Sequence, residues 1–177
     1  MPETTRLLEA LRAGDESAAA PLVELLYHEL YAMARARVRP GKTLQPTALV
    51  HEVWLKLNGQ LGSFHDRRHF LAVASRAMRQ VLANAARDAR TLKRGGDRFG
   101  VTLGAEVGAP AAEIDLVALD DSLRRLAELD ERQGRIVELR FLCSLTIAET
   151  AEVLGVSTTT VEDDWAMARA WLRRELR

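Results

Sequence analysis

The stretch TIAETAEVLGVSTTTVEDDWAMARAWLRREL, from Thr146 to Leu176, leaves a chain few ways to fold. Thr146 with Glu149 three residues on is a capping box, which starts a helix by satisfying its first free N–H groups. Ala151 is small where two helices cross closely, and Gly155 supplies the permissive backbone of a sharp turn. Ser157 is placed to cap a second helix, in which Val161, Trp165, Ala168 and Leu172 recur at 4-3-4 spacing and form one buried face. The segment reads as a helix-turn-helix, whose second helix commonly enters the major groove of DNA. The outward positions of that helix are Ser157, Thr158, Thr159, Glu162 and Asp163, with Asp164 beside them. Carboxylates repel phosphate but accept a hydrogen bond from cytosine N4, and threonine suits a phosphate or a thymine methyl. Arg169, Arg173 and Arg174 lie further along, where they are placed to hold the DNA backbone.

Upstream, the helical period continues. Thr4 to Ala13 is a short amphipathic helix stopped by Gly14, and a second helix runs from about Ser17 to Val38 with Leu22, Leu26, Leu30 and Met33 on one face. Pro40 and Gly41 end it. Pro46 opens a third helix that buries Val50, Val53, Trp54 and Leu57 and closes at Asn58-Gly59. A fourth runs from about Arg67 to Lys93, ended by Gly95-Gly96. Glycines and a proline then break the period, which makes residues 97–114 a linker, extended around Val101 to Leu103. Leu116, Leu119, Leu123 and Leu126 begin a new apolar face, and Ile136 to Leu142 forms another helix before the helix-turn-helix. The expected fold is all-α, with two small helical domains, 1–96 and 115–177, joined by a flexible linker.

Charge bounds the partners. The chain of 177 residues is neutral overall, yet residues 1–97 hold 15 Lys/Arg against 10 Asp/Glu and residues 98–177 hold 10 against 15. A self-sufficient DNA binder is ordinarily basic, because phosphate neutralisation supplies most non-specific affinity. The balance points to a protein that meets DNA with help from a partner. The N-terminal segment carries charges throughout, so neither a signal peptide nor a membrane span is expected, and the expected compartment is the cytoplasm. Cys143 is the single cysteine and sits among Phe141, Leu142 and Leu145, which suggests packing and excludes a cysteine zinc site. His28, His51, His65 and His69 lack metal-ligand spacing, and no phosphate loop or nucleophile motif is present, so no metal, cofactor or catalysis is expected.

On the fourth helix Arg76, Gln80, Arg87, Arg90 and Arg94 fall near one face by 4-7-3-4 steps, a stripe suited to phosphates and adjacent base edges. Before it, the loop GQLGSFHDRR offers Phe64 and His65.

Taken together, these segments resemble the extracytoplasmic-function (ECF) group of bacterial RNA polymerase sigma factors, over nearly the whole chain. LLEALRAGDESAAAPLVELLYHELYAMAR looks like the opening of their promoter-melting domain, region 2. ALVHEVWLKL resembles the family's LVQEVFLRA helix: Glu52 falls on its glutamate, His51 replaces the glutamine and Trp54 the phenylalanine. RQVLANAARDAR resembles the RNLAIDHLRR helix that reads the −10 element, with Gln80 at the asparagine position, Asn84 at the aspartate and Arg87 at the arginine. The segment from Leu126 onward resembles region 4, which binds the −35 element. The resemblance implies that Arg76, Gln80, Asn84, Arg87, Arg90 and Arg94 meet −10 DNA and that Phe64 stacks on a base flipped from it, although the residues alone place Phe64 equally well in the core. It implies −35 contact by Ser157, Thr158, Thr159, Glu162, Asp163 and Arg169. It further implies that 1–96 is a region 2-like domain, 115–177 a region 4-like one, and that core polymerase is met at Thr47, Ala48, His51 and Glu52.

The departures are informative. Most of the group carry an acidic run of the DAED kind before the LVQEV helix, whereas this chain has the uncharged Gln45-Pro46-Thr47-Ala48, which resembles an atypical subgroup marked by PTALVHEVWLKL and DWAMARAWL. A phosphate on Thr47 would bring about −1.5 to −2 charges to a helix start, where anions are favoured. A Ser/Thr kinase acting at Thr47, or else Thr43, is therefore an expectation, the alternative being that Thr47 only helps to cap the helix. An anti-sigma factor is another partner the resemblance admits. The alternative is a helix-turn-helix regulator that acts on DNA without entering the polymerase.

Overall fold

The computed structural model describes residues 1–38, 44–92, 100–102 and 113–176, and it is all-α apart from one pair of three-residue strands. Two compact units are present, Met1–Val81 and Leu82–Arg177, and the division falls inside a long helix.

The first unit begins with α1 (Glu3–Arg12), which carries Glu3 in its first turn and Arg12 in its last, each sign complementing the helix dipole. Gly14 takes φ 93° just beyond it. A 3-10 turn (Glu16–Ala18) comes next, capped by Asp15, whose carboxylate accepts from the Ser17 N–H at 3.0 Å. It leads into α2 (Ala19–Arg37), and Leu22, Leu26, Leu30 and Met33 are all buried along it, as their spacing predicts. α3 (Pro46–Leu57) starts on its proline and buries Leu49, Val50, Val53 and Leu57, while Trp54 is only half-buried. A 3-10 segment (Asn58–Ser63) connects to α4 (Arg67–Leu92). Asp66 caps α4 by accepting from the His69 N–H at 2.8 Å, and His69 Nδ1 in return accepts from the His65 N–H at 3.2 Å. This reciprocal cap explains the spacing of the two histidines, whose rings stack 5.0 Å apart. Glu29 ties the unit together, accepting from Thr4 Oγ1 at 3.1 Å and from Arg67 Nε at 2.8 Å.

The second unit comprises the remainder of α4 and the chain from there to the C-terminus. Leu82, Ala83 and Ala86 of α4 are buried. β1 (Gly100–Thr102) pairs antiparallel with β2 (Glu113–Asp115), Val101 opposite Ile114. The extended backbone expected near Val101 is thus realised as a strand, and Leu103 lies outside the described residues. α5 (Leu116–Leu129) is capped by Asp115, and α6 (Glu131–Val137) by Asp130. Gly134 is where these two helices press together: a Cβ there would come within 3.0 Å of Ala127 Cβ and 3.1 Å of its Cα. A π-helical turn (Glu138–Leu142) extends α6, and Ser144, at φ 55°, turns the chain towards α7 (Ile147–Leu154).

The helix-turn-helix closes with the bonds its sequence calls for. The Thr146–Glu149 capping box is complete, Gly155 is left-handed at φ 67° and ψ 34°, and Ser157 caps α8 (Thr158–Glu175) by accepting from the Thr160 N–H. A Cβ on Gly155 would meet nothing within 4 Å, so conformation alone demands glycine there. Gly155→Ala is expected to lower stability by about 1 kcal/mol, with Gly155→Asn costing less because asparagine tolerates the left-handed region. Urea denaturation of the two variants beside wild type checks this; equal stability of all three would refute it.

Candidate nucleic-acid interface

Three exposed helix faces collect most of the candidate residues. On α8 the inner positions Val161, Asp164, Trp165, Ala168 and Leu172 are buried, which leaves Thr158, Thr159, Glu162 and Asp163 exposed. Among the described residues these four side chains have no hydrogen-bond or ion-pair partner, so their polar atoms face solvent. Ser157 is also exposed, but its hydroxyl is engaged by the Thr160 N–H at 3.1 Å.

What seats this helix is a set of arginine contacts. Arg140, on the π-helical turn, and Arg169, on α8, each place a guanidinium 5.5 Å from the centre of the Trp165 ring, and Arg140 also donates to the Leu145 carbonyl. Arg125 of α5 lies 6.0 Å from the Trp171 ring and pairs with Glu175 at 2.8 Å. Arg169, expected to hold the DNA backbone, therefore stands half-buried against Trp165. Asp164, grouped by the sequence with the outward carboxylates, is turned inward instead: it accepts from Arg132 Nε at 2.6 Å. That bond pushes the Arg132 guanidinium pKa up from its ordinary value. The signal was present in the spacing, because position 164 follows Val161 by three and precedes Ala168 by four.

On α4 the positions Arg76, Gln80 and Asn84 are exposed, one turn after another. Arg87 and Arg90 continue the row but are engaged within the second unit. Arg87 donates to Asp120 at 2.7 Å and approaches Asp121 at 3.3 Å and Asn84 at 3.5 Å, and Arg90 pairs with Asp115. The Asp120 hydrogen bond raises the Arg87 pKa against the opposing pull of burial. None of these acidic partners stands out in the sequence, since Asp120 is 33 positions away from Arg87. Arg94 lies outside the described residues.

Phe64 takes the core alternative over the base stacking that the resemblance implies. Its ring is 1% exposed and meets Phe70 edge-on at 5.3 Å and His69 at 5.7 Å, so it belongs to the core of the first unit and is not presented to a base. His65, beside it, is exposed.

On α3 Thr47, Ala48, His51 and Glu52 are all exposed and share one face by i, i+4 steps. Leu55 joins them at 62% exposure, a large apolar side chain on a face that the sequence presents only as polar. Gln45 at the N-cap makes no side-chain cap bond and no acidic residue stands in the first turn, so the start of α3 has neither a capping group nor a negative charge. Thr43 lies outside the described residues. Among those described, no group of three or more His, Cys, Asp or Glu side chains is arranged to hold a metal ion, and no helix is long and apolar enough to cross a membrane.

A family model described as ECF sigma factor matches residues 1–177. No curated protein matches the chain.

Proposed function

Because the chain belongs to the ECF sigma factor family, we propose that its three exposed helix faces divide the work of initiation, α3 meeting core RNA polymerase, α4 the −10 element and α8 the −35 element. Membership makes it a non-enzymatic transcription initiation factor whose partners are core RNA polymerase and promoter DNA. The family match across the whole chain is the observation that carries this reading. In it, residues 1–96 act as the polymerase and −10 domain and residues 115–177 as the −35 domain, with residues 97–114 as a linker. Thr47, Ala48, His51, Glu52 and Leu55 face polymerase. Arg76, Gln80, Asn84, Arg87, Arg90 and Arg94 serve −10 DNA, and Ser157, Thr158, Thr159, Glu162, Asp163 and Arg169 serve −35 DNA.

The chain belongs, in this reading, to an atypical subgroup that lacks the acidic run before α3 and gains its charge by phosphorylation. Thr47 is exposed in the first turn of a helix with no acidic residue there. A phosphate at that point would meet free N–H groups and the positive end of the helix dipole, and would offer a basic polymerase surface the charge that the sequence omits. A Ser/Thr kinase is the matching partner, with Thr43 as a secondary acceptor; an anti-sigma factor would cover the same face.

The test is binding of the full chain to purified bacterial core polymerase, with Thr47→Asp run beside wild type. Thr47→Asp should bind about fivefold to tenfold more tightly, the effect of roughly 1 kcal/mol at a charged rim. Equal binding by the two proteins would remove the phosphorylation proposal and leave the polymerase face standing. Failure of both to bind would overturn the α3 assignment.

A further inference from the structure

We propose that Asp115, Asp120 and Asp121, gathered at the start of α5, act as an intramolecular substitute for DNA phosphate that holds Arg87 and Arg90 out of use in the free protein; this rests on the assignment of those two arginines to −10 DNA. Both arginines lie on α4 and both are paired, Arg87 with Asp120 and Asp121 and Arg90 with Asp115. With Arg124, which also meets Asp120, three guanidinium groups face three carboxylates, so this cluster presents no net positive charge to a nucleic acid.

The pairs are built to exchange. A carboxylate deprived of its only partner in a buried place is costly, and such a pair is structural and permanent. Here each principal acceptor has a second partner on its own helix. Asp120, 2% exposed, also meets Arg124 at 3.3 Å one turn along α5. Asp115 also accepts from the Val117 N–H at 3.0 Å, as the N-cap of α5. Asp121 is largely exposed and returns to water. Arg87 and Arg90 can therefore leave for phosphates without stranding a charge. Phosphate oxygens accept the same charge-assisted bonds that the carboxylates do, so DNA and the start of α5 compete for one pair of donors. Free protein is thereby kept from indiscriminate DNA binding, and the arginines are released when polymerase and promoter together offer more.

The test uses the full chain without polymerase and a fluorescently labelled single-stranded oligonucleotide, monitored by anisotropy. Asp115→Asn with Asp121→Asn removes two carboxylate charges while asparagine keeps the helix cap. This protein should bind roughly fivefold to tenfold more tightly than wild type, with a salt dependence steeper by about 0.7 in log–log slope per arginine freed. Asp121→Asn alone, on an exposed side chain, should give a smaller rise of the same sign. Glu128→Gln with Glu131→Gln removes two exposed charges elsewhere in the unit, and an equal rise there would reduce the effect to net charge and overturn the proposal. Arg87→Ala with Arg90→Ala, added to the neutralised protein, should cancel the gain. If it does not, those arginines are not DNA contacts and the −10 assignment falls with the proposal. If the neutralised protein binds no better than wild type, but the alanine pair still weakens its binding, the assignment stands and the sequestration is overturned.

Discussion

Phe64→Ala is expected to destabilise the first unit by about 3–5 kcal/mol, the range for removing a buried aromatic ring, whereas Phe64→Leu should cost roughly 1.5 kcal/mol. The ring is 1% exposed and lies edge-on to both Phe70 and His69, so deletion removes dispersion contacts and opens a cavity. Hydrogen exchange localises the damage, and faster exchange is expected within Met1–Val81. The leucine variant separates packing from base stacking. If Phe64 serves the core, Phe64→Leu folds and opens a promoter at close to the wild-type rate once bound to polymerase. Loss of opening at unchanged stability would mean that the ring meets DNA after all.

Trp165→Ala should have a comparable effect on the other unit, about 3–5 kcal/mol, and should abolish −35-dependent binding by the holoenzyme. Trp165 is 5% exposed and its ring is approached by Arg140 from the π-helical turn and by Arg169 from its own helix. Removing it deletes apolar contact and two cation–π interactions, each worth about 0.5–2 kcal/mol depending on desolvation. Trp165→Phe keeps part of both and should lose less than half as much. Urea denaturation monitored by circular dichroism reads the loss, and hydrogen exchange places it within Leu82–Arg177. A Trp165→Ala protein as stable as wild type would show that α8 is seated by other contacts.

The contrast between these residues tells what the sequence discloses. Features decided within a few positions were legible. The Thr146–Glu149 box, the left-handed Gly155, the Pro46 helix start and the face of α2 all arise from short-range geometry and appear where spacing puts them. Features decided by distant partners were not. Phe64 sits in a loop, where nothing local separates a presented ring from a buried one, and its fate is set by Phe70 and the fold around it. Arg87 and Arg90 read as an open basic stripe because their carboxylates come from distant positions at the start of α5. Asp164 falls between these cases: its spacing puts it on the inner face, but a charged residue reads as outward until Arg132 is seen beside it. The exposure of Leu55 was equally hidden, since leucine reads as core by default.

The two sides of α8 bear on how such a protein changes over generations. Val161, Asp164, Trp165, Ala168 and Leu172 hold the helix from its inner side, with Arg169, Trp171 and Glu175 adding contacts, and Thr158, Thr159, Glu162 and Asp163 form no side-chain hydrogen bond or ion pair among the described residues. Substitutions at such positions ordinarily move stability by no more than about 0.5 kcal/mol. A lineage can therefore exchange these four residues one at a time without drawing on the margin that keeps the domain folded, and if they meet −35 DNA as proposed, each exchange tries a new base preference. The inner face is fixed by the fold and the outer face is left free to vary.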